Sequence, residues 1–410
     1  MNAKRVGVAD IFRRAGSAWR QRLRGGLDRG RLKVMAAIEA CRTAVLGGHL
    51  YQCDGCGCEH PRYNSCRNRH CPTCQGAAAR QWMEARAADI LPVPYFHIVF
   101  TLPPEIAAIA RRNRKTVFSI LFRTAAETLR TIAADSRRGG TRIGGTVVLH
   151  TWNQRLLWHP HLHCVVPNAG FDVETGDWKT GSNRFFAPVK VLASLFRRRF
   201  LEELAKAHDG GKIVFGRDIG DPDAFRKAMA RARGQDWVVY AKRPFRGPRQ
   251  VFAYLSRYTH RVAIGDSRIL AFDGETVTFR CRSPKLPGQR KPRYGTETLT
   301  AEDFITRFMT HVLPDGFHRI RHFGILANGC RRKTLDAARA ELGENSVIPE
   351  NQAPDPAGPE TGRDDVAEPL CCPHCGTVLR YLREIPVGWK RAVSAGRDPP
   401  RPPAPGTPCP

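Results

Sequence analysis

The sequence predicts an α+β protein, and two observations support that prediction. Long segments with apolar residues at helical spacing alternate with short segments rich in β-branched and aromatic residues. Two of the short segments, 146–154 and 161–170, are joined by a tight connector, which predicts an antiparallel pair of strands. A chain of 410 residues is also long enough for two or three domains with cores of their own.

The predicted elements follow from apolar stripes, proline residues at helix starts and turn residues between segments. We expect helices in the basic N-terminal region and over 31–46, 77–91, 104–135, 191–208, 249–263 and most of 300–345. We expect strands over 94–103, 146–154, 161–170 and 237–245, and hairpins over 171–186 and 267–282.

We expect three regions along the chain. Residues 1–93 form a helical N-terminal region with a cysteine cluster, and residues 94–345 form the α+β domain that contains the sheet. From about residue 346 the composition shifts to Pro, Gly, Asp and Glu, which predicts a linker and a disordered, Pro-rich tail over 346–410. This last region carries one island, Cys-Cys-Pro-His-Cys-Gly, at 371–376.

The charge distribution indicates a polyanionic partner. The formal net charge is +28, and the basic residues are spread over many segments. Such an excess is typical of proteins that bind DNA or RNA, although a proteome rich in Arg would also contribute to it. No apolar run reaches the ~18 residues that span a bilayer, and the N-terminus lacks the apolar segment of a secretory signal. We therefore expect a cytoplasmic protein with no membrane partner.

Two Cys-x-x-Cys pairs predict a structural zinc site. Cys53 and Cys56 form the first pair, and Cys71 and Cys74 form the second. Four thiolates suit the tetrahedral geometry of Zn²⁺, and thiols stay reduced in the cytosol. The third pair, in the island at 371–376, has no second pair near it in the sequence, which gives little basis for zinc there.

Additional zinc ligands are available close to these pairs. Cys66 and His70 are the first candidates, and Cys41, His49 and Cys58 are further ones; eight ligands would make two sites. The alternative is that Cys41 and Cys66 are buried apolar residues and that His70 supports the site or contacts phosphate. The basic residues Arg67 and Arg69 lie beside the metal in sequence, which favours contact with DNA.

A second candidate metal site lies on the predicted strand 161–170. His161 and His163 point to the same face of a strand, while Leu162 and Cys164 face the opposite side. Two imidazoles on one face can hold a divalent ion; the alternative is a pair of core or surface histidines. A third ligand would complete the site. His97 is a candidate if its strand is a neighbour.

The remaining candidates for the third ligand are Gln154, Asn153 and His150. Positions left open on the ion would accept a phosphate oxygen. Mg²⁺ or Mn²⁺ in such a site would polarise a phosphodiester and neutralise developing charge. This hypothesis predicts a nucleophile nearby.

Two tyrosines are the candidate nucleophiles. Tyr254 and Tyr258 are four residues apart, so a helix places both on one face. A phenol with a pKa near ~10 needs help from a cation to attack, and its phosphotyrosine ester can later be reversed by a DNA hydroxyl. Arg257 and Arg261 are candidate contacts to the flanking phosphates. The alternative is that both tyrosines are core residues, but the upstream histidine pair favours the catalytic interpretation.

Together these motifs resemble the HUH endonuclease superfamily, whose two histidines flank a hydrophobic residue, here His161-Leu162-His163. Within that superfamily the chain resembles the IS91-type rolling-circle insertion-sequence transposases, which have two tyrosines and an N-terminal zinc-binding domain. The matching stretches occur in order between about residues 35 and 345: CRTAVLGGH, YNSCRNRHCPTCQ, FHIVFTLP, WHPHLHCVVPNAG, WVVYAKRPF, YLSRYTHRVAI and HVLPDGFHRIRHFGILAN.

This resemblance implies a four- or five-stranded antiparallel sheet flanked by helices, with the histidine pair on a central strand and the tyrosines on a nearby helix. It implies nicking of single-stranded DNA at the insertion-sequence ends, a 5′-phosphotyrosine link and rolling-circle-like transfer to target DNA in the bacterial nucleoid. Tyr258 and Tyr254 correspond to the two catalytic tyrosines, and His161 and His163 correspond to the metal ligands. Two features depart from the family pattern: the extra Cys58, and a long basic stretch over 280–299 that is a candidate DNA-contacting loop.

Other classes of protein stay open at this point. A plasmid replication initiator or relaxase would share the histidine pair and the tyrosines, but the zinc cluster argues against it. A non-catalytic zinc-dependent DNA-binding protein, or an inactive relic, would explain the charge and the cysteines but leave His161, His163 and the tyrosines without a use. A zinc hydrolase built on the histidines lacks a nearby carboxylate base.

Overall fold

The structure, a computed structural model, describes most of the chain. It covers residues 6–23, 26, 28–87, 89–181, 186–216, 220–245, 262–282, 294–342 and 370–388. The helices of these residues are α1 (Val8–Arg22), α2 (Arg29–Ala40), α3 (Pro72–Ala87), α4 (Pro104–Arg112), α5 (Arg114–Ala134), α6 (Val189–Asp209), α7 (Pro222–Gly234), α8 (Ala301–Thr310) and α9 (Arg331–Leu342). The strands are β1 (Gly48–Cys53), β2 (Glu59–Tyr63), β3 (Tyr95–Thr101), β4 (Thr141–Arg142), β5 (Gly144–Trp152), β6 (Trp158–Pro167), β7 (Ala169–Asp172), β8 (Trp178–Thr180), β9 (Val239–Phe245), β10 (Ile269–Phe272), β11 (Thr276–Arg282), β12 (Tyr294–Thr300), β13 (Ile320–Gly324) and β14 (Leu379–Ile385).

A five-stranded antiparallel sheet organises the fold. Its strand order is β13-β5-β6-β3-β9, and every neighbouring pair is antiparallel. The middle strand, β6, carries His161 and His163, and its partner β5 is the other strand of the predicted antiparallel pair. The predicted α+β class with a sheet of four or five strands is confirmed.

The two faces of this sheet differ in chemistry. On β6, Leu162 and Cys164 are fully buried in a core that the sheet shares with helices α4 to α7. His161 and His163 alternate with them and therefore point to the other side. Residues that lie directly opposite each other in the β5–β6 and β3–β6 ladders point to the same side of the sheet. The two neighbouring strands therefore alternate between the same two sides as β6. We call this second side of the sheet the histidine face.

The N-terminal helices share a second core with a distant part of the chain. Helices α1 and α2 pack with α8 and the sheet β10-β11-β12. The rings of Phe12 and Phe308 meet edge to face, with centroids 5.2 Å apart, and Trp19 Nε1 donates to Thr306 Oγ1 at 2.7 Å. This core joins sequence from both sides of the boundary predicted at residue 93.

The helix predicted over 104–135 is in fact two helices, α4 and α5, that meet at Asn113. The side-chain amide of Asn113 donates to the carbonyl oxygens of Ile109 at 3.1 Å and Val214 at 3.0 Å, and its Oδ1 accepts the Val214 N–H at 2.7 Å. These side-chain bonds compete with the helical hydrogen-bond ladder, so the helix is interrupted here and tied to the segment between α6 and α7.

The segment predicted to be mostly helical, 300–345, also contains a strand. A turn closed by the hydrogen bond from Phe317 N–H to Pro314 O follows α8, and β13 then pairs with β5 as an edge strand of the central sheet. Its sequence, Ile-Arg-His-Phe-Gly, is only five residues long and lacks strict apolar–polar alternation, so the strand depends on the β5 ladder rather than on a local pattern. The prediction was wrong at this point because tertiary pairing decided the structure.

The predicted linker and tail also contain regular structure. Strand β14 pairs antiparallel with β1, and the three-stranded sheet has the order β14-β1-β2. The remainder of the tail, the tyrosine segment 246–261 and most of the basic loop lie outside the described residues. Among the described helices, none is long and apolar enough to cross a membrane.

Candidate metal centres

The central sheet brings three histidines together on the histidine face. His161 and His163 lie on β6, and His150 lies directly opposite His161 on β5. The candidate ligand nitrogens of these residues all lie within 4.8 Å of one another. The antiparallel register explains the grouping, because a residue directly across the ladder projects from the same face.

The spacing of the imidazole nitrogens suits a single metal ion. His161 Nε2 and His163 Nε2 are 3.1 Å apart. Two ligands that lie ~2.1 Å from one ion and subtend a right angle are about 3.0 Å apart. His161 Nδ1–H donates to the backbone carbonyl oxygen of His159 at 2.7 Å, which leaves the Nε2 lone pair for the ion.

The geometry of His97 suits a residue that orients the metal ligand His163 rather than one that binds the metal itself. Its Nε2 is 2.9 Å from His163 Nδ1, and the two rings are nearly parallel, with 5° between their planes. When His163 Nε2 binds a metal, its Nδ1 carries the proton and donates it to His97 Nε2. That bond orients the His163 ring and occupies the His97 nitrogen that would otherwise be a ligand.

Burial favours the neutral imidazoles of His161 and His163. Desolvation lowers the pKa of His161 to about 4. It also lowers the pKa of His163 well below its ordinary value, and the neighbouring His150, His161 and His97 add to the effect. The neutral imidazole is the form that binds metal, so the group is ready for a cation near pH 7.

The predicted candidate Gln154 lies on the exposed connector after β5. Its backbone carbonyl oxygen accepts a hydrogen bond from Arg268 Nη2 at 2.5 Å. His150, one of the alternatives from the sequence, is the residue that the structure groups with the His161–His163 pair.

The cysteines form two groups that divide the predicted zinc ligands between them. The first cysteine cluster comprises Cys41, Cys66, Cys71 and Cys74. The second cysteine cluster comprises Cys53, Cys56, Cys372 and Cys375. The two predicted Cys-x-x-Cys pairs therefore do not meet in one site; each pair has other partners.

The β1–β2 hairpin explains this division. Cys53 and Cys56 lie at the tip of the hairpin, whereas Gly48 pairs with Tyr63 at its base, close in sequence to Cys66. The five steps along the strand from Gly48 to Cys53 correspond to about 16 Å. Thiolates at the tip and at the base are thus too far apart for one tetrahedron.

The first cysteine cluster joins the end of α2, the loop after β2 and the start of α3. Cys74 Sγ lies 3.5 Å from Cys41 Sγ and 3.6 Å from Cys66 Sγ. Thiolates around tetrahedral zinc are ~3.8 Å apart when each Zn–S bond is ~2.3 Å, whereas a disulfide is ~2.05 Å long. The placement of Cys41 and Cys66 favours a metal site over the alternative that they are only buried apolar residues.

Two other predicted residues of this region bind the protein itself. His70 is buried, and its Nε2 accepts the Leu313 N–H at 3.2 Å. The guanidinium of Arg69 donates to the carbonyl oxygens of Pro314 at 2.9 Å and Phe317 at 2.6 Å. Both side chains anchor the cysteine-rich loop to the segment after α8, which gives them a structural use.

The remaining predicted residues concern DNA and catalysis. Arg67 is exposed beside the first cysteine cluster. Tyr254, Tyr258, Arg257 and Arg261 lie outside the described residues.

Comparison with known proteins places this geometry in a family. Residues 144–334 match a family described as "Putative transposase", and residues 11–102 match one described as "Transposase zinc-binding domain". A "Putative transposase y4qJ" of Sinorhizobium fredii is 50% identical over 351 residues, which cover 85% of this chain and 87% of the relative. The "Transposase for insertion sequence element IS801" of Pseudomonas savastanoi pv. phaseolicola is 32% identical over 314 residues, or 74% and 72% of the two chains.

The chain belongs to the IS91-type insertion-sequence transposases with an N-terminal zinc-binding domain, as its sequence motifs predicted. DNA is therefore its partner. All four residues of the first cysteine cluster fall within the matched zinc-binding domain, and they support structural zinc there. The histidine group falls within residues 144–334, the segment matched as a transposase.

Proposed function

We propose that this transposase nicks single-stranded DNA at the ends of its insertion sequence and transfers the strand through a 5′-phosphotyrosine intermediate, in a rolling-circle-like manner. The observation that carries the proposal is the convergence of His150, His161 and His163 on one face of the central sheet. Three ligand nitrogens within 4.8 Å of one another are expected of a metal site, whereas histidines with a purely structural role do not require such a grouping. The partner of this protein is DNA, whose phosphates a metal ion in this site would contact.

The donor set fits a divalent cation. Three imidazoles provide nitrogen ligands at a spacing suited to one ion, and an incomplete shell leaves room for a phosphate oxygen. Imidazole favours transition-metal ions over Mg²⁺, so Mn²⁺ is the better match of the two expected ions. When bound, the ion would polarise the scissile phosphodiester and offset its developing charge.

The protein groups around the ion have distinct tasks in this proposal. His150, His161 and His163 hold the ion, His97 fixes the ring of His163 through the 2.9 Å contact, and the carbonyl oxygen of His159 fixes the ring of His161. The ligands lie on the strands of a packed sheet, so their positions are fixed before DNA binds, which reduces the cost of ordering the site.

In this proposal Tyr258 is the nucleophile of the first nick, and Tyr254 is the nucleophile of the second. The phenol oxygen attacks phosphorus, the bond from phosphorus to the 3′ oxygen breaks, and the phenol proton is transferred away as the 3′ oxygen gains one. A 3′-hydroxyl of target DNA later attacks the same phosphorus and releases the tyrosine. Each step exchanges one phosphodiester for another, so no outside energy source is needed.

DNA is held mainly by charge in this proposal. A net charge of +28 supplies many phosphate contacts, and exposed Arg67, with Arg257 and Arg261, would contact strands near the two sites. The zinc-binding domain would help to recognise the insertion-sequence ends. The protein would act in the bacterial cytoplasm at the nucleoid, where donor and target DNA are found.

A nicking assay tests the proposal. End-labelled single-stranded DNA from the ends of the element is incubated with Mn²⁺ and the full chain, with a His161→Ala/His163→Ala variant, or with a His318→Ala control that removes an exposed histidine elsewhere. We expect metal-dependent nicking by the wild type and the control, and none by the double variant. Tight binding of the correct ends without nicking by the wild type would instead identify a non-catalytic DNA-binding protein.

A further inference from the structure

The two Cys-x-x-Cys turns of the second cysteine cluster have the same backbone geometry. In the N-terminal turn, Cys53 N–H donates to Cys58 O at 3.0 Å, and Gly57 N–H donates to Cys53 O at 2.8 Å. The turn around Cys372 has equivalent bonds, with Cys372 N–H to Thr377 O at 2.7 Å and Gly376 N–H to Cys372 O at 2.9 Å.

Each turn also ends in a glycine that the geometry requires. Gly57 has a φ of 67° and Gly376 a φ of 78°, a left-handed conformation that other residues adopt only with strain. The matching pattern is Cys-x-x-Cys-Gly in both segments, 53–57 and 372–376. Two segments more than 300 residues apart in sequence thus fold into matched turns whose thiols face each other.

The sulfur atoms of the two turns are at metal-ligand spacing. Cys53 Sγ lies 3.3 Å from Cys375 Sγ, and Cys56 Sγ lies 3.6 Å from Cys372 Sγ. These separations are far above the ~2.05 Å of a disulfide and near the ~3.8 Å expected around tetrahedral zinc. His60 Nε2 is 3.3 Å from Cys372 Sγ, where a ring N–H would donate to a thiolate.

The flanking strands hold the two turns against each other. Strand β14 pairs with β1 from Gly48↔Ile385 to Cys53↔Leu379, so the ladder ends at the cysteines. Leu379 is buried with Cys53 and Cys372 in a small core of their own, and Arg380 Nε lies 3.1 Å from Asp54 Oδ1. The ladder brings the pairs into contact, but a core this small gives limited stability without a further link.

We propose that the second cysteine cluster is a structural zinc site shared between the two ends of the chain. The Cys53–Cys56 pair and the Cys372–Cys375 pair each supply two of the four thiolates, so neither end can form the site alone. The residues matched as a transposase zinc-binding domain, 11–102, contain Cys53 and Cys56 but not Cys372 and Cys375. Segment 370–388 is therefore a part of the zinc-binding module that is distant from it in sequence, and the transposase domain lies between the two parts.

The number of zinc ions bound by the full chain tests the proposal. Native mass spectrometry of the protein purified with zinc would compare the wild type with Cys53→Ser/Cys56→Ser, with Cys372→Ser/Cys375→Ser and with the variant carrying all four changes. A Cys330→Ser variant is the control, because Cys330 is exposed and lies outside both clusters.

We expect each double variant to lose one zinc ion and the quadruple variant to lose the same single ion, because all four thiolates serve one site. An unchanged zinc count in Cys372→Ser/Cys375→Ser, or the loss of two ions from the quadruple variant, would overturn the proposal. The count is independent of nicking, so failure here leaves the proposed endonuclease activity untouched.

Alkylation of the wild-type protein provides a measurement that does not depend on folding of a variant. Under a rising concentration of chelator, Cys53, Cys56, Cys372 and Cys375 should become reactive together, while Cys330 reacts from the start. Reaction of the C-terminal pair at a lower chelator concentration than the N-terminal pair would contradict a shared site. Recovery of these pairs as disulfides by peptide mapping would contradict it as well.

Discussion

Replacing His150 by alanine removes one of the three imidazoles that converge on the histidine face. The structure distinguishes this change from His97→Ala, because His150 faces His161 across the ladder whereas His97 contacts the far nitrogen of His163. Loss of a residue that only orients a ligand lowers metal affinity ~10–100-fold, which corresponds to about 1.4–2.7 kcal/mol. We expect His97→Ala to fall in this range and His150→Ala to exceed 100-fold.

Titration of Mn²⁺ into each variant, followed by electron paramagnetic resonance of the free ion, measures this difference. His318→Ala is the matched control, because His318 is exposed and does not belong to the group of three histidines. Circular dichroism would verify that each variant keeps its fold. An effect of His97→Ala equal to or greater than that of His150→Ala would refute the assignment of His150 as the third ligand.

Four further expectations follow from other parts of the structure. Burial lowers the pKa of His311 to about 4, so the neutral form stabilises the fold above pH 6.5 and this contribution is lost as the pH falls from 6.5 towards 4. We expect about 2 kcal/mol less stability at pH 5 than at pH 7 from this group, and urea unfolding at both pH values should show a smaller difference for His311→Gln. Phe196→Ala should lower the free energy of unfolding by about 3–5 kcal/mol in urea titrations, because the ring is fully buried against three aromatic neighbours; a loss below 1 kcal/mol would contradict its place in the core. Cys41→Ser should remove the zinc of the first cysteine cluster, detected as one ion fewer in native mass spectra, and an unchanged count would argue for the apolar alternative. The logarithm of the DNA association constant should fall linearly and steeply with the logarithm of salt concentration in filter-binding assays, and a flat response would contradict binding through phosphate neutralisation.

The sequence was sufficient for the β5–β6 pair in the middle of the central sheet because its signals there are local. Alternation around His161 and His163 places both on one face, and the short connector before them predicts the pairing with the preceding strand. The choice of His150 over Gln154 did not follow from the sequence, because the predicted connector, 155–160, places Gln154 opposite His161. In the structure β5 ends at Trp152, β6 begins at Trp158 and the register shifts between His150 and Trp152, so His150 lies opposite His161.

The grouping of the cysteines depends on structure that no local pattern contains. Cys53, Cys56, Cys71 and Cys74 have the spacing of a single site, but the intervening hairpin separates the pairs by the length of its strands. The partners of the first pair lie more than 300 residues later, in a region whose composition predicts a tail. The matched Cys-x-x-Cys-Gly patterns were the available clue to their association.

The strands at the sheet edges were hard to predict for a related reason. Strand β13 has few β-branched residues, and the aliphatic residues of β14, Leu379, Leu382 and Ile385, are three apart rather than alternating. Both are stabilised by hydrogen bonds to a neighbour that is already in place, and such bonds leave little trace in composition. Sequence preferences describe an element by itself, whereas these elements exist because of their partners.

A covalent bond between tyrosine and DNA distinguishes the proposed reaction from binding alone, and a single experiment detects it. The full chain is mixed with single-stranded DNA from the ends of its element, with Mn²⁺ or with EDTA, and denaturing gels are searched for a protein–DNA adduct whose peptide is then identified by mass spectrometry. We predict an adduct that requires metal, resides on Tyr258 and disappears in Tyr258→Phe, while Tyr254→Phe retains some single nicking. Nicking without an adduct, or an adduct that survives both substitutions, would contradict the account.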